Sequence, residues 1–177
     1  MLNHNLNQQN NDESQYLTFM LAGEEYGIHI LKVKEIIAFD SVTKVPKTPD
    51  WIIGVINLRG SVVPVVDLSV KFSLGGSKIT KSTCIVIVEV EMAGEQATMG
   101  VLADSVDEVL ELPPQEIEPT PAFGSRFAVD YLQGLGKVSK GFVLLLNINR
   151  VLSSEELLQA VSSKQLAAEN TEVTVGA

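Results

Sequence analysis

The sequence predicts a mostly β protein built of small antiparallel barrels. Three observations carry this. Short segments alternate apolar and polar residues, as in Leu17, Phe19 and Leu21. They recur at close spacing with turn residues between them. Helical periodicity is confined to a few short stretches, which leaves too little helix to cover a parallel sheet.

Residues 1–15 hold eight Asn or Gln and almost no apolar side chains, so they predict a disordered tail. Tyr16 to Leu21 and Glu25 to Ile30 alternate around Ala22-Gly23-Glu24, which predicts a hairpin. Ile30, Val33 and Ile37 recur at roughly helical spacing and predict a short helix after it. Thr48-Pro49-Asp50-Trp51 reads as a helix start, with a Thr cap and Pro in the first turn. Val62 to Asp67, Cys84 to Met92, Thr98 to Ala103 and Phe142 to Leu146 read as strands, with weaker ones at Val106 to Leu112 and Leu132 to Val138. Ser153 and Glu156 have capping-box spacing and predict a C-terminal helix over 153–166, fraying over 167–177.

A faint repeat relates GVINLRGSVVPVVDL, from Gly54 to Leu68, to GLGKVSKGFVLLLNI, from Gly134 to Ile148. Each copy runs from a Gly-rich strand through a tight turn into an apolar strand. Each ends in a polar residue, Asp67 or Asn147, suited to capping a helical turn.

Composition narrows the function. The 177 residues carry 13 Lys+Arg and 22 Asp+Glu, a net charge of −9. That opposes non-specific nucleic-acid binding and attraction to an anionic membrane surface. No apolar run approaches the ~20 residues of a membrane span, and no signal peptide is legible. Cys84 is the one cysteine, so no internal disulfide forms; with only His4 and His29, no metal site is expected. His29 lies at a strand edge without triad partners, and Cys84 opens an apolar strand as a structural thiol. Asp67 and Asp104 follow strands and suit turn roles. No Gly-rich phosphate loop is present. No catalytic residue and no cofactor is expected.

Two stretches carry a resemblance. Tyr26-Gly27-Ile28 feeds Val33-Lys34-Glu35-Ile36, and Asn57-Leu58-Arg59-Gly60 is followed by Pro64-Val65-Val66-Asp67-Leu68. Together with Gly100 to Val106 and Tyr131 to Gly136, these resemble the CheW family of chemotaxis coupling proteins over about residues 16–160. The resemblance implies two five-stranded SH3-like β-barrels sharing a hydrophobic core, here 16–80 and 81–147 within a domain of 16–166. It also implies a cytoplasmic, non-catalytic adaptor. Such an adaptor couples the cytoplasmic tips of methyl-accepting chemoreceptors to the CheW-like domain of a CheA-type histidine kinase. It is expected to be monomeric alone, ringed in receptor arrays and not inserted in the membrane.

Glu35 matches the Glu of V-x-E-I and Arg59 the Arg of N-L-R-G, so both are expected on partner-binding surfaces. A loop Arg offers a planar donor fork to a carboxylate or to helix-end carbonyls; an ion pair within the chain is the alternative, and the two roles coexist. Val33, Ile36, Val55 and Val62 are expected to line a groove with Glu35 and Arg59 at its rim, a place in the core being the alternative for Val33 and for Ile36. The expected partner-binding set is Val33, Glu35, Ile36, Asn57, Leu58, Arg59 and Val62. The competing readings are the same scaffold in a non-chemotaxis array, a small β-barrel hydrolase and a β-barrel nucleic-acid binder.

Charge is uneven along the chain. Residues 1–80 hold seven basic and eight acidic groups, residues 81–177 six and fourteen. The expectation is a nearly neutral first barrel and an acidic second one, suited to different partner faces.

Overall fold

The structure, a computed structural model, describes residues 13–121 and 130–153. Its strands are β1 (Gln15–Leu21), β2 (Glu24–His29), β3 (Val33–Ala38), β4 (Ile52–Leu58), β5 (Ser61–Val66), β6 (Cys84–Met92), β7 (Glu95–Ala103), β8 (Ser105–Glu111), β9 (Ile117–Glu118), β10 (Leu132–Val138) and β11 (Gly141–Leu146). Two short helices, α1 (Leu68–Lys71) and α2 (Ile148–Leu152), follow β5 and β11. One sheet has the order β8-β1-β2-β11-β10-β9, the other β3-β6-β7-β5-β4.

The sheets do not divide the chain at 80/81. The hairpin β1–β2 pairs with β8 and, in parallel, with β11, so residues 15–29 belong with the C-terminal strands. The hairpin β6–β7 pairs with β3 and, in parallel, with β5. After each hairpin the chain crosses to the other sheet, through the 3-10 turn Ile30–Lys32 and at Asp104. Asp104 ties its crossing down: its Oδ2 accepts from Ala22 N at 2.9 Å, and its N–H donates to Met20 O at 3.0 Å. One sheet gains a sixth member, the two-residue β9, beyond the five expected.

The repeat is structural. Gly54 pairs with Val65 as Gly134 pairs with Leu145, each just after a register shift. Val65 faces Gly100 in the parallel pairing, and Leu145 faces Gly27. Asp67 Oδ1 accepts from Ser69 N at 2.9 Å and Asn147 Oδ1 from Arg150 N at 3.3 Å, so both cap a helix start.

Alternation along buried strands builds three apolar clusters. Ile85 and Ile87 face the interior of the five-stranded sheet with Val63, Val65 and Leu102. Tyr16, Leu112, Val143 and Leu145 fill the six-stranded one. The intervening Val86, Val88 and Val90 turn to a third cluster shared between the sheets, with Leu17, Phe19, Val101, Leu146 and Leu152. Burying apolar side chains on both faces makes these strands read as near-continuous apolar runs.

Two expected helices are absent. Ile30–Lys32 is a single 3-10 turn, and Val33–Ala38 continues as a strand with alternating exposure. Its β-branched Val33, Ile36 and Ile37 suit a pleated surface better than a helix. Thr48 Oγ1 donates to Val45 O at 2.9 Å, closing a turn before β4. Ser153 ends α2, its Oγ donating to Arg150 O at 3.3 Å, where the expectation was a helix start. The rest of the expected C-terminal helix, the frayed end and nearly all of the N-terminal tail lie outside the described residues.

The charge asymmetry survives the reassignment of strands. Val33 to Ala103, which contains the whole five-stranded sheet, holds seven basic and seven acidic residues; the other described residues hold four and ten.

Candidate partner-binding surface

The β4–β5 hairpin turns at Arg59-Gly60, with φ of 52° and 86°. Positive φ at both central positions gives the turn the twist that paired strands need. Gly60 takes that geometry freely. Asn57 Oδ1 braces it by accepting from Gly60 N at 2.8 Å.

The turn aims Arg59 at β3. Arg59 Nη2 donates to Glu35 Oε2 at 2.6 Å. The Arg side chain is 77% exposed and the Glu 24%. Glu35 Oε1 is buried and makes no hydrogen bond, so the carboxylate depends on Arg59 for its neutralising charge. The pair is thus an ion pair within the chain that leaves most of the guanidinium accessible.

The other expected residues divide. Ile36 is 44% exposed and Val62 is 60% exposed. Asn57 is exposed and sits opposite Val62 in the pairing of β4 with β5. Leu58 packs on the interior of its own sheet, and Val33 on the shared core. Both are half-buried. Val55 is half-buried, bridged to Thr43 through Val55 N to Thr43 O at 2.8 Å and Thr43 N to Val55 O at 2.9 Å. That bridge draws the chain after β3 onto β4, the strand that leads into the Arg59 turn.

The repeat supplies a second such end that the sequence reading missed. Phe142, 52% exposed, opens β11 as Val62 opens β5. Val109, 47% exposed on β8, faces Leu17 as Ile36 on β3 faces Val86. Here Lys137 and Glu118 pair at 2.5 Å, and a cleft runs beside Asp107, Glu108, Glu111 and Glu116, with Glu25 from β2. The signal for this end was present in the repeat, which places Phe142 where Val62 stands.

The nucleophile and base candidates are occupied otherwise. Burial pushes the Cys84 thiol up, and its Sγ donates to Ser82 O at 3.4 Å. One ring nitrogen of His29 contacts Glu13 O at 2.7 Å, and the other accepts from Leu31 N at 3.3 Å. Asp67 Oδ1 also accepts from Ser77 Oγ at 2.9 Å, so its carboxylate pins a loop.

Comparison with known proteins agrees with this geometry. The family model for the CheW-like domain matches residues 15–156. The chemotaxis protein CheW of Klebsiella aerogenes is 42% identical over 143 residues, 81% of this chain and 84% of that protein. The CheW protein of Bacillus subtilis is 32% identical over 145 residues, 82% and 90% of the respective chains. The crystal structure of the scaffolding protein TtCheW from Thermoanaerobacter tengcongensis superposes with a TM-score of 0.71 at 31% identity, covering 81% of this chain and 90% of that one. The two-sheet, mostly β architecture is therefore the one the resemblance implied. Matched by a family model over most of its length and alike in both sequence and fold to its members, the chain belongs to the CheW-like family, and its role is that of a chemotaxis adaptor.

Proposed function

We propose that this adaptor couples the cytoplasmic tips of methyl-accepting chemoreceptors to the CheW-like domain of a CheA-type histidine kinase, in the cytoplasm beneath receptor arrays. The observation that carries the reading is the pair of equivalent ends on one body. Each sheet presents two exposed apolar side chains, one at a hairpin and one on an edge strand, Val62 and Ile36 in the first and Phe142 and Val109 in the second. Apolar centres with a polar or charged rim are what protein–protein contacts use. An enzyme needs one cleft; a coupler needs two faces held at a fixed spacing, and the shared core supplies the spacing.

Of the seven residues expected from sequence, Glu35, Ile36, Asn57, Arg59 and Val62 form the contact surface in this reading, with Leu58 and Val33 supporting it. Arg59 keeps exposed donors beyond its bond to Glu35, so one guanidinium can hold the turn and meet a partner carboxylate or carbonyl.

A pull-down tests the reading. The purified chain is expected to capture the kinase's CheW-like domain without nucleotide and to co-sediment with receptor-tip fragments. Capture of neither overturns it.

A further inference from the structure

Lys71 lies where the two copies of the repeat face each other. α1 and α2 follow equivalent hairpins, one in each sheet, and both bury side chains in the shared core. Trp51 and Tyr131 are equivalent as well: Asp67 N donates to Trp51 O at 2.7 Å, and Asn147 N to Tyr131 O at 2.9 Å. The Lys71 ammonium stands 4.2 Å from the centroid of the Trp51 ring and 5.6 Å from that of Tyr131. It donates to the carbonyl of Val151 at 2.6 Å, and Val151 is its own counterpart in the repeat. One cation thus reaches from the end of α1 to two equivalent rings and to the last turn of the opposite helix.

The chemistry suits a joint. The carbonyls of a last helical turn lack donors within their own helix, and a Lys side chain is a suitable substitute. The rings attract the cation most where water is thinned out, and Lys71 is half-buried. Phe72, next in sequence, lies tilted against Tyr131, just before β10, at 5.7 Å and stacks on Tyr26 of β2 at 6.4 Å, so the same segment makes two more contacts on the side of the six-stranded sheet. The shared core alone holds the sheets by apolar burial, which is non-directional and permits small slides. The Lys71 contacts are directional and fix one arrangement.

We propose that Lys71 is a pin that sets the placement of one sheet against the other, and that this fixed placement carries receptor state through the adaptor to the kinase. The second clause rests on the adaptor reading above.

The test uses spin labels on the two exposed hairpin tips, at Ser61→Cys and Lys140→Cys, in a Cys84→Ala background. Lys71→Met keeps the apolar stem and removes the donor and the charge. It is expected to broaden the label-to-label distance distribution, and Lys71→Arg to keep it narrow. A Lys71→Met width equal to that of the parent overturns the pin. Lys71→Gln, the milder change, gives the same reading if the Met variant does not fold. In a reconstituted assembly, Lys71→Met is expected to bind kinase domain and receptor fragment separately as the wild type does. Receptor control of kinase activity falls by about fivefold or more. Unchanged control overturns the second clause. If the wild-type chain itself confers no receptor control, the adaptor reading fails, and the distance measurement still decides the pin.

Discussion

Arg59 Nη2 and Glu35 Oε2 meet at 2.6 Å, joining a hairpin tip to a strand 24 residues away in the chain. The bond links β3, at one edge of the five-stranded sheet, to the turn of the β4–β5 hairpin at the other edge. With the guanidinium this open to water, such an ion pair contributes about 0–1 kcal/mol to stability. Its larger consequence is position: it fixes a flexible, multi-donor side chain over one spot.

Two substitutions separate the turn from the charge. Arg59→Asn keeps a residue that tolerates positive φ and creates the Asn-Gly pair that two-residue hairpins favour. It is expected to leave the denaturation midpoint near that of the wild type and yet weaken capture of kinase domain or receptor fragment. Arg59→Glu is expected to weaken capture further, by setting two carboxylates together. Unchanged co-sedimentation of both variants removes Arg59 from the contact surface.

Gly54→Ala tests the strand that leads into this turn. Gly54 has a φ of +150°, and a Cβ there runs into the Thr43 carbonyl, whose bridge to Val55 draws β4 onto the chain after β3. Backbone strain plus a displaced bridge is expected to cost about 2 kcal/mol or more. Urea denaturation reads this directly, and a midpoint equal to wild type refutes it.

The paired ends were only half legible in the sequence. Alternation gave most strands, because period 2 survives wherever one face is more buried than the other. It failed at β3, where Ile30, Val33 and Ile37 fall at helical spacing by coincidence and a 3-10 turn precedes the strand. The capping of Asp67 and Asn147 was readable, because a cap is a local device. The exchange of strands between sheets was not. It rests on the pairings of Leu145 with Gly27 and Val65 with Gly100, which no local pattern encodes. The same limit hid Val109 and Phe142, whose strands lie far apart in the chain. Leu58 and Val33 are half-buried, one against the interior of its own sheet and the other on the shared core, and a motif marks residues that matter without telling contact from support.

Strand exchange also predicts how the protein unfolds. Phe19 from β1 and Val101 from β7 are both fully buried in the shared core. Phe19→Ala is expected to cost about 3–5 kcal/mol. It should lower amide protection in both sheets together, since both bury side chains in the core that Phe19 helps fill and the six-stranded sheet takes its strands from either side of the Val33–Ala103 segment. Protection lost only around β1, β2 and β8 would show the sheets opening independently.

High pH weakens the fold in a predictable window. Burial raises Cys84 above its ordinary 9.0, and Tyr16 and Tyr26 above their ordinary 10.0. The folded protein therefore holds these protons while the unfolded chain releases them. Stability is level below about pH 9 as far as these groups are concerned, and it falls as pH rises through 9 and then 10. Cys84→Ala removes the earlier part of the fall, and alkylation of Cys84 in the native protein lags behind that of free cysteine at pH 8. A native rate equal to the free rate contradicts the burial argument.

Charge makes the two ends respond differently to salt. The cleft over Leu110 and Leu112 is bordered by Asp107, Glu108, Glu111, Glu116 and Glu25, while Arg59 and Glu35 balance each other at the other end. A partner drawn to the acidic end is steered by a field that dissolved ions screen within about 10 Å at 0.1 M salt. Its association rate is expected to fall as salt rises, whereas contact at the Ile36 and Val62 end, being more apolar, should change little. Glu111→Lys is expected to flatten the salt dependence and slow association with the partner that uses the acidic end. Association rates measured across a salt series, with Phe142→Asp and Val62→Asp variants to assign each partner to an end, give the comparison. Equal salt slopes for the two partners would show that the asymmetry plays no part in choosing between them.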